Sequence, residues 1–249
     1  MMLSMVDFPT DNHGWSELLP PRLAVDSIQG AHRVPWVIVG AGLTGLACAR
    51  RLAELHPKDE VLLLDARLIG QGASGRNSGF AVGVSHFPGP YEIQDKENID
   101  RINRINQAGL ALLDQQITSQ SIHCQWDNSG FHHGAADSKS IKEHSHFVNY
   151  LDAIGTEHNN LNQDDMKGRF GTSLYKAGVH VKTGALVQPA ALVRGLANNI
   201  PSNVRLIENC PVLKVESGRT IKLTTSSGEI TTDKLVLATN YEAPKIGFL

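Results

Sequence analysis

Cysteine is scarce in this chain of 249 residues: Cys48, Cys124 and Cys210 stand far apart and are odd in number. That spacing argues against a disulfide framework and against a zinc site built on close Cys/His pairs. A reducing, cytoplasmic compartment is the expectation. The histidines do not alter this, because His132-His133 and the pair His144/His146 have no third partner at ligand spacing, so no metal is expected. No apolar run of about 18 residues occurs, so no membrane span is expected. The first thirty residues carry Asp7, Asp11, Glu17, Pro9, Pro20 and Pro21, a pattern that does not fit a signal peptide. Basic runs are missing as well. With a formal net charge of −2, nucleic acid is not an expected partner. There is no GxSxG elbow and no Cys–His constellation, and no general base emerges from spacing, so the catalytic residues stay unassigned.

What is present is the patterning of an α/β chain long enough for one large domain or two modest ones. Residues 34–39 (VPWVIV) form a β-branched apolar run, the mark of a strand buried on both faces. A glycine turn follows, then helical spacing over residues 43–56 with Pro57 just beyond. Residues 61–64 (VLLL) are a second buried strand, closed by Asp65. Together these make a βαβ unit. Further along, helices are predicted over 98–117, 141–154 (stopped by Gly155) and 189–200, with Pro189 in the first turn. Strands are predicted at 174–182, 204–207, 212–215 and 235–238, with a hairpin around Ser226-Ser227-Gly228. Residues 122–135 read as a strand pair turning at Asp127-Asn128-Ser129-Gly130. The implied organisation is an irregular lead-in (1–32) and a discontinuous dinucleotide-binding domain (33–84 and 186–249). A partial second domain (85–185) is inserted between its halves.

Gly40-Ala41-Gly42-Leu43-Thr44-Gly45 is GxGxxG. Its context carries the inference: a strand precedes it, a helix opens on it, and Asp65 follows at the end of the next strand. Gly40 permits the tight turn, Gly42 lets backbone approach a pyrophosphate, and Gly45 lets helix and strand pack closely. The pyrophosphate would sit at the positive end of the helix, and Asp65 would accept hydrogen bonds from a ribose diol. A 2′-phosphate is disfavoured by that carboxylate, an argument that Arg67 softens.

Directly after the second strand comes Gly72-Ala73-Ser74-Gly75-Arg76-Asn77-Ser78-Gly79. With it the chain resembles the FAD-dependent oxidoreductases of the D-amino-acid oxidase (DAO) type, and within them the γ-glutamylputrescine oxidase-like members. The likeness also includes Gly14-Trp15, Leu18-Leu19-Pro20-Pro21-Arg22, Asp65-Ala66-Arg67, Leu186-Val187-Gln188-Pro189, Leu192-Val193-Arg194-Gly195-Leu196, Pro211-Val212 and Leu237-Ala238-Thr239-Asn240. The resemblance implies a Rossmann-like FAD-binding domain with an inserted antiparallel-sheet substrate domain. It implies FAD as cofactor, with Ala66, Arg67 and the segment Ala73, Ser74, Arg76, Asn77 along its ribityl and pyrophosphate part. Val212 would meet the adenine through its backbone, and Ala238 and Thr239 would pass close by. Ser78, Gly79 and Phe80 would run toward the flavin ring, and His86 could touch substrate. Arg76 is read equally well as a solvated loop cation, and a loop histidine is the plainer reading of His86.

The implied reaction is oxidation of a C–N bond in an amine or amino acid, with hydride passing to flavin N5. Two features depart from the family pattern. Asp65 stands where the family usually has Glu, and the pattern continues past Leu249, so the chain is expected to be truncated at its C-terminus. The activity of a chain ending there is open. A non-catalytic FAD-binding fragment is one alternative. A pyridine-nucleotide dehydrogenase is another, although it leaves GASGRNSG without a role. The sequence assigns no oligomeric state.

Overall fold

A computed structural model describes residues 13–84 and 96–246. In chain order the elements are α1 (Gly14–Glu17), β1 (Gly30–Val39), α2 (Leu43–Leu55), β2 (Val61–Leu64), α3 (Ala73–Arg76), β3 (Phe80–Ala81), α4 (Lys96–Ser119), β4 (Phe131–Ala135), α5 (Ser138–Ala153), β5 (His158–Asn162), α6 (Gln163–Phe170), β6 (Ala177–Val181), β7 (Ala185–Leu186), α7 (Pro189–Asn198), β8 (Val204–Ile207), β9 (Val212–Glu216), β10 (Ile221–Thr225), β11 (Gly228–Leu237) and a closing 3-10 helix (Asn240–Ile246). The chain divides into two compact units. One holds Met1–Ser78, Ile122–Cys124 and Gln188–Leu249; the other holds Gly79–Ser121 and Gln125–Val187.

The first unit is built on a six-stranded sheet in the order β8-β2-β1-β11-β10-β9. The four strands from β8 to β11 run parallel, and β10 and β9 add on antiparallel. The apolar runs end up where their composition demands. All four side chains of β2 are fully buried, each such burial stabilising by roughly 1.5–3 kcal/mol. In the β10–β11 hairpin, Thr225 Oγ1 accepts the amides of Ser227 (3.2 Å) and Gly228 (3.0 Å), which fixes the turn. α7 starts with Pro189 at its first turn, and Gln188 Oε1 accepts the Ala191 amide at 2.7 Å, satisfying one of the helix's orphan donors.

In the second unit β4, β6 and β5 form an antiparallel sheet in the order β4-β6-β5. α5 covers it with Phe147, Tyr150 and Leu151, which pack with Phe131, Val179 and Val181. Gly155 ends this helical segment at φ +67°.

Several expectations need correction. The lead-in is not irregular up to residue 32, because α1 forms at Gly14–Glu17 and β1 begins at Gly30. Residues 122–135 do not fold as a strand pair. Cys124 O accepts the Gln188 amide at 2.8 Å, Asp127 exchanges two backbone bonds with Leu186, and β4 finds its partner in β6. The run at 235–238 is the end of the longer β11. β5 and α6 were not foreseen. β5 reads HNNLN with only Leu161 buried, so no apolar alternation marks it. α6 buries only Met166 and is started by a capping box between Asn162 and Asp165.

Candidate functional site

The glycine turn lies at the C-terminal ends of β1 and β11. Gly40 has φ +99°, and a Cβ there would stand 2.5 Å from the Ala238 carbonyl oxygen, so only glycine lets the two chains pass. Gly42 is the N-cap of α2. A Cβ on Gly42 would lie 2.7 Å from Ser74 Oγ. That hydroxyl accepts the amide of Leu43 at 3.0 Å. The turn and the α3 segment are therefore drawn together through Ser74 at the positive end of α2. Thr44 is exposed on the first turn, and Gly45 is buried beneath it.

Asp65 follows β2 and holds the turn from below. Its Oδ2 accepts the Ala41 amide at 2.8 Å, and its Oδ1 accepts the Arg67 amide at 2.9 Å. Burial holds the carboxyl above the usual carboxylate range, against the two amide bonds and the nearby Arg67 charge, which pull it down. Each oxygen keeps a further lone pair. Ala66 is partly buried, and the Arg67 guanidinium pairs with Glu242 at 3.1 Å. The Asp65 carbonyl accepts the Cys210 amide at 2.8 Å, which brings the start of β9, and with it Val212, toward the acid. Val212 itself is buried in the core. Ala238 donates its amide to Val39 O at 2.7 Å, and beside it Thr239 Oγ1 is buried with no hydrogen-bond partner.

The remaining expected residues lie along the segment that follows β2. Ala73 opens α3 and is exposed. Arg76 Nε donates to its own loop at Gln71 O (2.8 Å), and its side chain is exposed. Asn77 Nδ2 donates to Ser74 O at 2.9 Å, closing α3. Ser78 is exposed at the end of the first unit's segment, while Gly79, with φ +78°, and Phe80 belong to the second unit. His86 lies outside the described residues.

A family model for FAD-dependent oxidoreductases (DAO) matches residues 35–248. The chain belongs to the FAD-dependent oxidoreductase family. It is 26% identical over 234 residues to a probable oxidoreductase OrdL from Rhizobium meliloti, covering 92% of this chain and 54% of that protein. It is 24% identical over 208 residues to the γ-glutamylputrescine oxidoreductase of Escherichia coli, covering 82% and 48%. The chain thus spans about half the length of the curated relatives it matches. Among solved structures it resembles a glycine oxidase from Geobacillus kaustophilus (TM-score 0.71, 19% identity, 87% of this chain and 58% of that one). It also resembles an L-amino acid deaminase from Proteus myxofaciens (TM-score 0.69, 20% identity, 89% and 49%). These two likenesses speak to the fold.

For this FAD-dependent family member, two observations test the fit of the cofactor. A Cβ on Gly42 would press on Ser74 Oγ at 2.7 Å, so the glycine lets that hydroxyl sit against the turn, and Thr239 Oγ1 is a buried hydroxyl lacking a partner at the strand ends beside Gly40. A buried polar atom of this kind costs stability unless a ligand or water completes it. Both features suit a dinucleotide.

Three side chains near the turn have no role that the sequence assigns: Glu208, Trp15 and His13. Glu208 is fully buried after β8, and its carboxylate accepts Arg22 Nε (2.7 Å), Arg22 Nη2 (3.1 Å) and the amides of Ile69 (2.7 Å) and Val25 (3.3 Å). Trp15 Nε1 donates to Asn77 O at 2.9 Å, and His13 Nε2 donates to Gly70 O at 3.0 Å. A tryptophan and an arginine in a proline-containing lead-in carry no periodic pattern, so only the long-range contacts reveal what they hold.

Within the second unit, a cavity of about 270 Å³ is walled by Phe80, Phe131, Met166, Phe170, Tyr175 and Leu186, with His132 at its polar side. His132 stacks on His180 at 4.4 Å and accepts from Arg169 Nη1 at 3.0 Å. Burial lowers the His132 pKa, reinforced by His180 and Arg169, so the ring is neutral with Nε2 as acceptor. Among the described residues, no group of three or more His, Cys, Asp or Glu side chains could hold a metal. No described helix is long and apolar enough to cross a membrane.

Proposed function

We propose that this chain uses FAD to oxidise the C–N bond of an amine or amino acid, with a γ-glutamylputrescine-like amine as the finer candidate. The observation that carries the reading is the buried, unpartnered Thr239 hydroxyl at the strand ends beside Gly40, in the glycine turn of a family member. The amides of Thr44 and Gly45, and the Ser74 hydroxyl held in place by the Leu43 amide, would hold the pyrophosphate at the start of α2. Asp65 would offer its remaining lone pairs to a ribose, with Ala66 and Arg67 alongside, and the Val212 backbone would meet the adenine. Ala73, Arg76 and Asn77 would follow the ribityl chain, with Ala238 and Thr239 at the strand ends. Ser78, Gly79 and Phe80 would lead toward the ring.

FAD, when bound, supplies the two-electron acceptor that no side chain provides. The protein's own contribution is to position and to desolvate. In the second unit, the aromatic walls of the cavity would exclude water from an apolar substrate body, and Arg169, bonded to the lining residue His132, would offer a cation to a carboxylate. Neutral His132 keeps Arg169 fixed without adding a second positive charge. The support for a nitrogen-bearing substrate is the family match and the 24% identity to a γ-glutamylputrescine oxidoreductase.

The test is to load the purified protein with FAD and add γ-glutamylputrescine, putrescine and simple amino acids without oxygen. Bleaching of the bound flavin by one of these supports the reading. Bleaching by NADH alone, with none of the amines or amino acids effective, contradicts it.

A further inference from the structure

The segment Ile69–Asn77 carries Ser74, the residue that meets the glycine turn, and it is held from outside at both ends. At its start, Glu208 accepts the Ile69 amide and His13 Nε2 donates to Gly70 O. At its end, Trp15 Nε1 donates to Asn77 O. His13 and Trp15 are two residues apart at the start of α1, where Ser16 Oγ donates to His13 O (2.9 Å) and accepts the His13 amide (3.2 Å). α1 is itself anchored, because the buried Gln188 donates from Nε2 to Trp15 O at 2.8 Å while its Oε1 caps α7 at the Ala191 amide. The lead-in continues under the same control, with Pro20 O accepting Arg194 Nη1 at 2.8 Å and Arg22 bound to Glu208.

We propose that α1 is a clamp on the cofactor segment and that Trp15 is a positioning residue for the FAD site, acting through Ser74. A short helix that fixes the distance between Gly70 O and Asn77 O also fixes how far α3 can reach toward α2. Ser74 lies between those two carbonyls, and its hydroxyl is in place on the Leu43 amide at 3.0 Å. If Trp15 releases Asn77 O, the end of α3 loses this tie to α1. Ser74 then leaves the Leu43 amide more often, and the first turn of α2 is left with one more unsatisfied donor. The clamp rests on the reading that this turn holds FAD, but its mechanical part does not.

The experiment therefore reads both. In the FAD-free protein, Trp15→Phe keeps the aromatic ring and removes only the N–H donor. Amide hydrogen exchange at Leu43 should speed up by about two- to twelvefold, the span of one net hydrogen bond. Exchange at Val37 in β1 should stay as in the wild type, and the thermal midpoint should fall by no more than the roughly 2–4 °C that one lost hydrogen bond explains. An unchanged rate at Leu43 overturns the clamp, and so does an equal acceleration at Val37, which would mean general loosening. With FAD added, Trp15→Phe should raise the Kd by a similar factor in the wild-type background and much less in a Ser74→Ala background, because both changes remove the same contact. Additive losses overturn the route through Ser74. A wild type that binds no FAD while Leu43 still responds to Trp15→Phe would sink the FAD reading and keep the clamp.

Discussion

Replacing Gly42 with alanine separates room for a ligand from the stability of the turn. Gly42 has φ −75°, which alanine adopts without strain. Its new Cβ would meet Ser74 Oγ at 2.7 Å and Ser74 Cβ at 3.5 Å, and no backbone atom lies within 4 Å. Ser74 can rotate its hydroxyl away, at the cost of its bond to the Leu43 amide, about 0.5–1.5 kcal/mol. A loss of about 1 kcal/mol in a protein of this size lowers the thermal midpoint by roughly 2–4 °C. Gly45→Ala is the contrasting case. Its Cβ would stand 1.7 Å from Gly40 O, backbone against backbone, so α2 must leave β1 and the unit should fail to fold. For FAD the alanine narrows the approach over the turn. Overpacking of this kind costs about 1–3 kcal/mol, or roughly five- to 150-fold in affinity. The assay is titration with FAD, following the quenching of its fluorescence, beside thermal melts of each variant. A double variant, Gly42→Ala with Ser74→Ala, removes the internal collision and leaves the crowding over the turn. Weak FAD binding should persist in it. Recovery of wild-type affinity in the double variant would show that Gly42 serves only to accommodate Ser74, and the pyrophosphate argument would fail.

Asp65→Ala should weaken FAD binding by the worth of a charge-assisted hydrogen bond, about 1.5–3 kcal/mol, and should also lower the thermal midpoint because the Ala41 and Arg67 amides lose their acceptor; an unchanged Kd would mean the carboxylate does not reach the ribose. Burial lowers the pKa of His133 and of His144 from 6.5, with the neighbouring His133 adding to the effect at His144 and Glu143 opposing it at His133. The folded state thus prefers both rings neutral, so stability is complete above 6.5 and falls as pH drops through 6.5 toward the lowered values. Denaturant melts across that window should show this slope, and His144→Gln should flatten it; an unaltered slope would remove His144 from the account. Arg22→Ala leaves the buried Glu208 carboxylate without its cation and should cost stability toward the lower end of about 3–5 kcal/mol, since the Ile69 and Val25 amides still bond it; a urea midpoint equal to that of the wild type would show that the pair adds nothing.

The βαβ core was legible because its residues obey one local rule each. VPWVIV and VLLL are runs that only a doubly covered parallel sheet can bury, and α2 is spaced for one face. GxGxxG with Asp65 was readable because close approach permits nothing larger at Gly40. Elements outside that core were less visible. HNNLN in β5 carries no alternation, since it is an edge strand with one buried residue. The strand pair expected at 122–135 was drawn apart by contacts more than fifty residues away, at Leu186 and Gln188. Around the site, Trp15, Arg22 and Glu208 are set by partners 62 and 186 residues distant, which no spacing rule reaches. Arg76 illustrates the opposite limit: a motif residue whose side chain turns back to Gln71 O on its own loop.

On the proposed function, the turn at Gly40–Gly45 holds FAD. The most direct test of this is titration of the purified protein with FAD and with NAD, side by side with Gly42→Val. A branched side chain at that position fills the space over the turn. Saturable binding of FAD, no binding of NAD, and loss of FAD binding in Gly42→Val is the predicted result. Saturation by NAD without FAD, or FAD binding that Gly42→Val leaves unchanged, would contradict it.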